Sequence, residues 1–474
     1  MREISSNLEE GVMGFGRNTE ETPSRASLTE ALLEHQVILE VGPLTLELAK
    51  SSSLDSIWNL TNVILGAGMF ALPRVFGALG LVGGALIITL VGITTYCTIA
   101  IMLRSSEHTQ QWTYASALHA VWGRRAAAAV HAAVIAGCIG FVALYLIITC
   151  DVFVGNKVFT GIISDVFPQL PDPLPWYLSR TALLTWIALV TVPLLSLKSL
   201  HGLAFISAVS VASSTASMLC LLALWAGAAA RGMLAPLRLW PKLSFFGDSP
   251  LIITTHMIAT MPVAMTAFVC QMSIHPIARD LHHYTPRKMR RTVASSLFVC
   301  ALLYFATGAS GFSIFGDEIA GDVLSNVQPE VVAVLLGCSD RLGLAFVALL
   351  KSFVALAMLT SIPINIWPLR EEVLGLLTHA FHGQEPSRSA FYAITYGCLF
   401  GIWATAVAVE SAYQMVGIVG ATCGIALAFV FPGMLALRIQ GVKGTYLGGL
   451  VLLGFGGVLM VAGVVSTGIG TDGG

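Results

Sequence analysis

What most constrains this chain is a series of long apolar stretches separated by short polar gaps. A bilayer's hydrocarbon core takes about 20 apolar residues of helix to cross. Eleven stretches qualify, at about 55–75, 79–103, 126–154, 177–197, 202–230, 250–277, 292–315, 343–369, 390–409, 412–437 and 446–468. Charged residues make up only 11% of the 474, and mean hydropathy is +0.81. A soluble domain carries about 25% charge. Burial inside protein cannot account for the shortfall, because a globule of this size still needs a wet surface. The sequence therefore predicts an all-α polytopic membrane protein whose solvent partner is the lipid bilayer.

Basic residues orient such a bundle. With the N-terminus inside, inner segments hold thirteen Lys and Arg and outer segments seven. The densest basic run, 279–291, falls inside. The acidic loop 316–342 falls outside. This pattern fits eleven spans with a cytosolic N-terminus and an extracellular or lumenal C-terminus. Residues 1–50 hold nine Glu and four Lys or Arg, with no signal-peptide core. They read as a partly disordered cytosolic tail, with a short amphipathic helix over 27–40 that Ser27 and Glu30 would cap. The transmembrane domain occupies 51–470.

Composition excludes several classes. Net charge is −1, so nothing points to a nucleic-acid partner. The nine cysteines are scattered without a C-x-x-C pair and read as small buried hydrophobes. No His/Asp/Glu cluster suggests an enzyme or a metal centre. Oligomeric state is not readable, although Gly417 and Gly420 offer a small-residue face.

Two spans carry interruptions. In the first, Gly66, Ala67 and Gly68 sit at mid-depth, with Asn59, Thr61 and Asn62 one to two turns earlier. In the sixth, Pro262 and Pro276 bracket Thr266 and Gln271. Backbone groups freed in hydrocarbon cost several kcal/mol each unless they meet protein or a wet cavity. Half-helices that meet at mid-depth offer bare N–H groups to a carboxylate and bare C=O groups to an ammonium or sodium ion. Close packing of small residues is the alternative for the first span, and a structural kink for the sixth. The first and sixth spans hold matching places in two five-span halves, which favours a central binding site. In the eighth span, Thr360 and Ser361 offer hydroxyls, and Lys351 is an intramembrane charge with a gating or a structural role. His131, Asp151 and Glu410 read as packed or interfacial, Tyr145 and Cys150 are ambiguous, and His256 is a candidate pH sensor.

Four segments then carry a family likeness: NLTNVILGAGMFALP (59–73), AFVCQMSIHPIARDL (267–281), FSIFGDEIAGDVLSNV (312–327) and TSIPINIWPLR (360–370). Across about 51–440 the chain resembles the amino acid/auxin permeases, in particular the sodium-coupled neutral amino acid transporters. The resemblance implies a LeuT-like fold: two inverted five-span repeats plus one span, with helices 1 and 6 discontinuous and alternating access around a midplane site. It implies a substrate site at Thr61, Gly66, Ala67, Gly68, Thr266, Ala267, Phe268 and Gln271. Backbone at Gly66–Gly68 would hold the carboxylate, and carbonyls at 266–268 the amine. It implies a sodium site at Asn62 with Thr360 or Ser361. Gln271 stands where sodium-coupled relatives often have histidine, so the coupling ion, sodium or proton, stays open. The outer loops lack both the usual cysteine pair and a glycosylation acceptor, which keeps a vacuolar or lysosomal membrane open beside the plasma membrane. The expected function is secondary active transport of neutral amino acids. The alternative is an amino-acid-sensing receptor on the same fold that signals through the tail.

Overall fold

The structure is a computed structural model that describes residues 50–66, 68–156, 159–171, 174–196, 200–242, 249, 260–380, 387–409, 412–438 and 445–469. The tail, Ala67, His256 and Glu410 lie outside the described residues. Helices α1 (Ser53–Ile64) and α2 (Gly68–Thr109) are followed by the short α3 (Tyr114–Trp122), then α4 (Arg124–Val154) and the single-turn α5 (Ile162–Val166). Next come α6 (Arg180–Leu195), α7 (Leu200–Ala230), α8 (260–266) and α9 (Gln271–Asp280). The rest are α10 (Pro286–Phe315), α11 (Pro329–Leu336), α12 (Asp340–Ala380), α13 (Arg388–Ala408), α14 (Ala412–Val419), α15 (Phe431–Ala436) and α16 (Thr445–Ile469). Two π-type turns, Gly420–Gly424 and Ala426–Val430, carry α14 into α15.

Nine described helices are long and apolar enough to cross a bilayer, and the shorter α6 is apolar too. Two passes share α2, whose winding breaks at Gly80 (φ 74°, ψ 172°). Counting these together gives eleven passes. The expected gap between the stretches 55–75 and 79–103 lies within the helix, and Gly80 makes the turn. A Cβ at Gly80 would lie 2.7 Å from the Leu239 carbonyl oxygen, so both backbone angle and space require glycine there. The N–H groups freed by the turn donate outward, Leu81 to Arg238 O at 2.9 Å and Val82 to Leu239 O at 3.0 Å.

Local chemistry sets the helix ends. Ser52 and Asp55 form a reciprocal capping box on α1. Thr285 caps α10 with Pro286 at its first position, and Ser387 caps α13. Sequence reading did not anticipate the loop helices α3 and α11, which are too short to cross a membrane. The nine cysteines are all unpaired. At the end of the bundle near residue 50, the chain before α1 pairs with the end of α9. Ser51 N donates to Asp280 O at 3.0 Å, and His282 N donates to Ser51 O at 2.9 Å. Nearby, Arg279 is ion-paired with Glu371 of α12.

Candidate functional site

The first pass is broken. α1 ends at Ile64, Leu65 leaves helical geometry at ψ 77°, and α2 restarts at Gly68. The sixth is broken too: helix runs over 260–266, unwinds over 267–270 and resumes at Gln271. The two breaks touch. A Cβ placed on Gly68 would sit 2.9 Å from Ala267 Cα. The first turn of a helix has N–H groups with no intrahelical acceptor, and the last turn has C=O groups with no donor. Both kinds therefore meet in the middle of the bundle.

A hollow opens beside this contact. Val63, Ile64, Gly66 and Gly68 wall it from the first pass, and Thr266, Ala267, Val269 and Met272 from the sixth. Phe141, Leu144 and Tyr145 of α4 and Asn365 of α12 face them. The empty space, counted out to its mouth, is about 340 Å³. No charged side chain is among these walls.

Of the residues expected to bind substrate, Gly66, Gly68, Thr266 and Ala267 wall the hollow, and Ala67 lies outside the described residues. Thr61, Phe268 and Gln271 are turned elsewhere. Thr61 Oγ1 is buried with no partner among the described residues. The Phe268 ring packs edge-on against Tyr304, with centroids 5.0 Å apart. The Gln271 amide serves its own break: Oε1 accepts from Cys270 N at 3.0 Å, and Nε2 donates to Thr98 Oγ1 at 3.4 Å. A polar side chain at the mouth of an unwound segment has bare backbone to satisfy first, and here that need wins.

Sequence reading missed Tyr304 of α10. Its hydroxyl sits between the two breaks, within donor distance of Ala267 O (2.6 Å) and of Ile64 O. One hydroxyl carries one proton, so the two carbonyls share it. One lone pair of the Ala267 carbonyl, expected to meet the amine, is thus already engaged. Nothing marked this tyrosine in the chain, because its partners are main-chain atoms 240 and 37 residues away.

A second cluster lies deeper in the bundle. Ser361 Oγ lies 2.6 Å from Asn62 Oδ1, 2.8 Å from Ser210 Oγ and 2.8 Å from Ala357 O. Asn62 Nδ2 donates to Ser207 Oγ at 3.1 Å. All four side chains are buried. Neutral oxygens gathered this way are the ligand type a hard cation takes. Thr360, the other eighth-pass candidate, back-bonds to Leu356 O and Ala357 O of its own helix. Ser207 and Ser210 went unnoticed in the sequence, although Ser207, Ser210, Ser214 and Ser217 recur at three- and four-residue steps along one face of α7.

Lys351 is away from the hollow. It is 1% exposed and ion-paired to Asp165 Oδ2 at 3.3 Å. It also donates to Thr160 O at 2.7 Å, which ties α12 to the α4–α6 connection. A buried ammonium needs such partners, since removing one leaves an uncompensated charge. His131 pairs with Glu372 of α12. Asp151 faces Arg180 Nε at 3.9 Å.

Paired broken helices around a mid-bundle hollow define a membrane transporter of the LeuT-like class. Two solved structures share the fold. The Eremococcus coleocola manganese transporter superimposes with a TM-score of 0.56 at 13% identity, covering 89% of this chain and 88% of that one. MhsT, solved in complex with L-phenylalanine, gives 0.55 at 10% identity, covering 87% and 98%. The chain belongs to the transmembrane amino acid transporter protein family, whose sequence profile matches residues 49–471. Amino acid transporter AVT6A of Arabidopsis thaliana is 28% identical over 83% of each chain. Vacuolar amino acid transporter 5 of Schizosaccharomyces pombe is 22% identical, covering 84% of this chain and 87% of its own. Sodium-coupled neutral amino acid transporter 7 of Xenopus laevis is also 22% identical, covering 82% and 81%.

Proposed function

We propose that this chain is a secondary active transporter that moves small neutral amino acids by alternating access, driven by a cation gradient. The observation that carries the reading is the meeting of two broken helices at a hollow with no charged side chain among its described wall residues. The helix start at Gly68 suits a carboxylate, and the lone pairs left on the Thr266 and Ala267 carbonyls, beside their bonds from Val269 N and Tyr304, suit an ammonium. A zwitterion matches both, while a charged side chain would find no counter-ion. Small wall-to-wall space favours small substrates.

Sodium is the preferred coupling ion. It would sit at Asn62 and Ser361, with Ser207 and Ser210 close by, and the sodium-coupled relative supports that choice. Proton coupling is the variant. The basic 279–291 loop favours a cytosolic N-terminus, and an odd number of passes then favours a C-terminus on the far side. A vacuolar or lysosomal membrane suits the relatives as well as the plasma membrane does. In this reading residues 1–50 are a cytosolic tail and 51–470 the transport domain.

The deciding experiment is uptake of a panel of labelled amino acids into proteoliposomes, with sodium and pH gradients imposed separately. Accumulation of neutral amino acids driven by sodium is expected. Accumulation driven by pH alone would replace sodium by protons. Uptake indifferent to both gradients would overturn coupling, and no uptake of any amino acid would overturn the function.

A further inference from the structure

Among the described residues the hollow has three polar side chains in its walls, and one of them, Thr266, is already committed. The Thr266 hydroxyl donates to Pro262 O at 2.7 Å. The Tyr145 hydroxyl lies against Gly66, 2.7 Å from where a Cβ would stand. Asn365 differs. Its Nδ2 donates to the Ser361 carbonyl one turn earlier at 2.9 Å. A carbonyl can only accept, so that contact fixes which end of the amide faces the helix. Asn365 Oδ1 accepts no hydrogen bond among the described residues, and the side chain is 2% exposed. That leaves the amide oxygen as the end free toward the hollow Asn365 lines, so its partner is to be sought in what the hollow receives.

The direction of a bound amino acid follows from the walls. If its carboxylate and ammonium lie at the two breaks, its side chain points away from the first and sixth passes, toward α4 and α12. There it meets Phe141, Leu144 and two polar groups, Tyr145 and Asn365, of which only Asn365 offers an acceptor that cannot itself donate. We propose that Asn365 is a specificity-determining residue, its Oδ1 accepting a hydrogen bond from a hydroxyl or primary amide on the substrate side chain. This rests on the transport reading above and narrows it to neutral amino acids with a short donor-bearing side chain. A carboxylate side chain is acceptor-only and opposes Oδ1. An aliphatic side chain would leave Oδ1 dry and unpaired. Sites built to hydrogen-bond a substrate hydroxyl reject the analogue lacking it far more strongly than apolar pockets reject an extra methylene.

The test is uptake by the full chain in proteoliposomes, with L-serine against L-alanine and L-asparagine against L-leucine as probe pairs. Wild type is expected to favour the donor-bearing member of each pair about tenfold in kcat/KM, the size of one net hydrogen bond. Asn365→Leu and Asn365→Ala should bring both ratios near unity while L-alanine uptake persists. Thermal stabilisation of the purified variants by L-serine and by L-alanine gives a second readout that needs no turnover, and the same loss of preference is expected there. Wild type that favours L-alanine and L-leucine would overturn the proposal, as would ratios left unmoved by both substitutions in both readouts. Wild type that carries no amino acid at all would instead overturn the transport reading itself.

Discussion

Gly68 and Ala267 meet backbone to backbone where the two broken passes cross: a Cβ on Gly68 would lie 2.9 Å from Ala267 Cα and 3.0 Å from Ala267 Cβ. Main-chain atoms cannot swing aside as a side-chain tip can. The contact therefore fixes how near the helix start of one break comes to the carbonyls of the other.

Gly68→Leu should abolish amino acid uptake while the protein still inserts in the membrane. The added side chain has to displace Ala267 or fill the hollow, and either separates the two breaks. Uptake in proteoliposomes, normalised to reconstituted protein, checks this. Retention of even a tenth of wild-type uptake would count against a binding site at the crossing.

Gly66 gives a prediction with an internal control. A methyl there would stand 2.7 Å from Tyr145 Oη but 3.5 Å from its ring carbons, which is ordinary contact. Gly66→Ala alone should cut uptake severely. Adding Tyr145→Phe removes the clashing atom and should recover much of it. A double variant no better than the single one would show that the loss has another origin, since coupled neighbours are expected to be non-additive.

How far the chain announced its own architecture can be judged from these positions. The apolar stretches gave the passes, because lipid forbids frequent charge, and Gly66–Gly68 marked the first break; Pro262 and Pro276 only bracketed the second, since both lie within helices and the chain unwinds between them at 267–270. The contents of the site were less legible. Gln271 looked like a substrate ligand and serves Cys270 N instead. Tyr304 carries no local signature, since it bonds to carbonyls remote in sequence. Thr360 and Ser361 were indistinguishable until helix rotation aimed one at Asn62 and the other at its own backbone. Hydropathy and turn chemistry act locally and can be read from neighbours; rotational phase is set by packing and cannot.

The eighth pass offers a paired comparison. Ser361→Ala and Asn62→Ala should raise the sodium concentration giving half-maximal uptake by about tenfold, the loss of one net interaction at the cluster. Thr360→Ala should leave it unchanged, because its hydroxyl serves only Leu356 O and Ala357 O. Sodium titration of uptake is the measurement, and equal effects at 360 and 361 would remove the cluster from cation binding.

Tyr304→Phe should destabilise the purified protein by about 1–3 kcal/mol, the cost of leaving buried carbonyls without their donor. The phenyl ring still fills the space against Phe268. Thermal unfolding with and without substrate checks this, and an unchanged Tm would mean that water replaces the hydroxyl.

Asp322 predicts a pH dependence. It lies in the connection between α10 and α11, where its carboxylate accepts from Leu324 N at 2.9 Å. Burial pushes its pKa from 3.8 up to about 7; the Leu324 N–H opposes the rise, and the Asp151 carboxylate adds to it. A raised folded pKa gives stability that is complete below the unfolded value and lost as pH climbs through the folded one. Stability should therefore fall between about pH 4 and pH 7. Asp322→Asn should flatten that slope in thermal unfolding across this range, and a slope that survives the substitution would place the titration elsewhere.

The single proton of Tyr304 has a mechanical meaning. If transport proceeds by the proposed alternating access, a strut anchored on α10 and set against both unwound segments would make three passes travel together. The grip on a cargo's charged head would then keep its shape while only the doors on either side change.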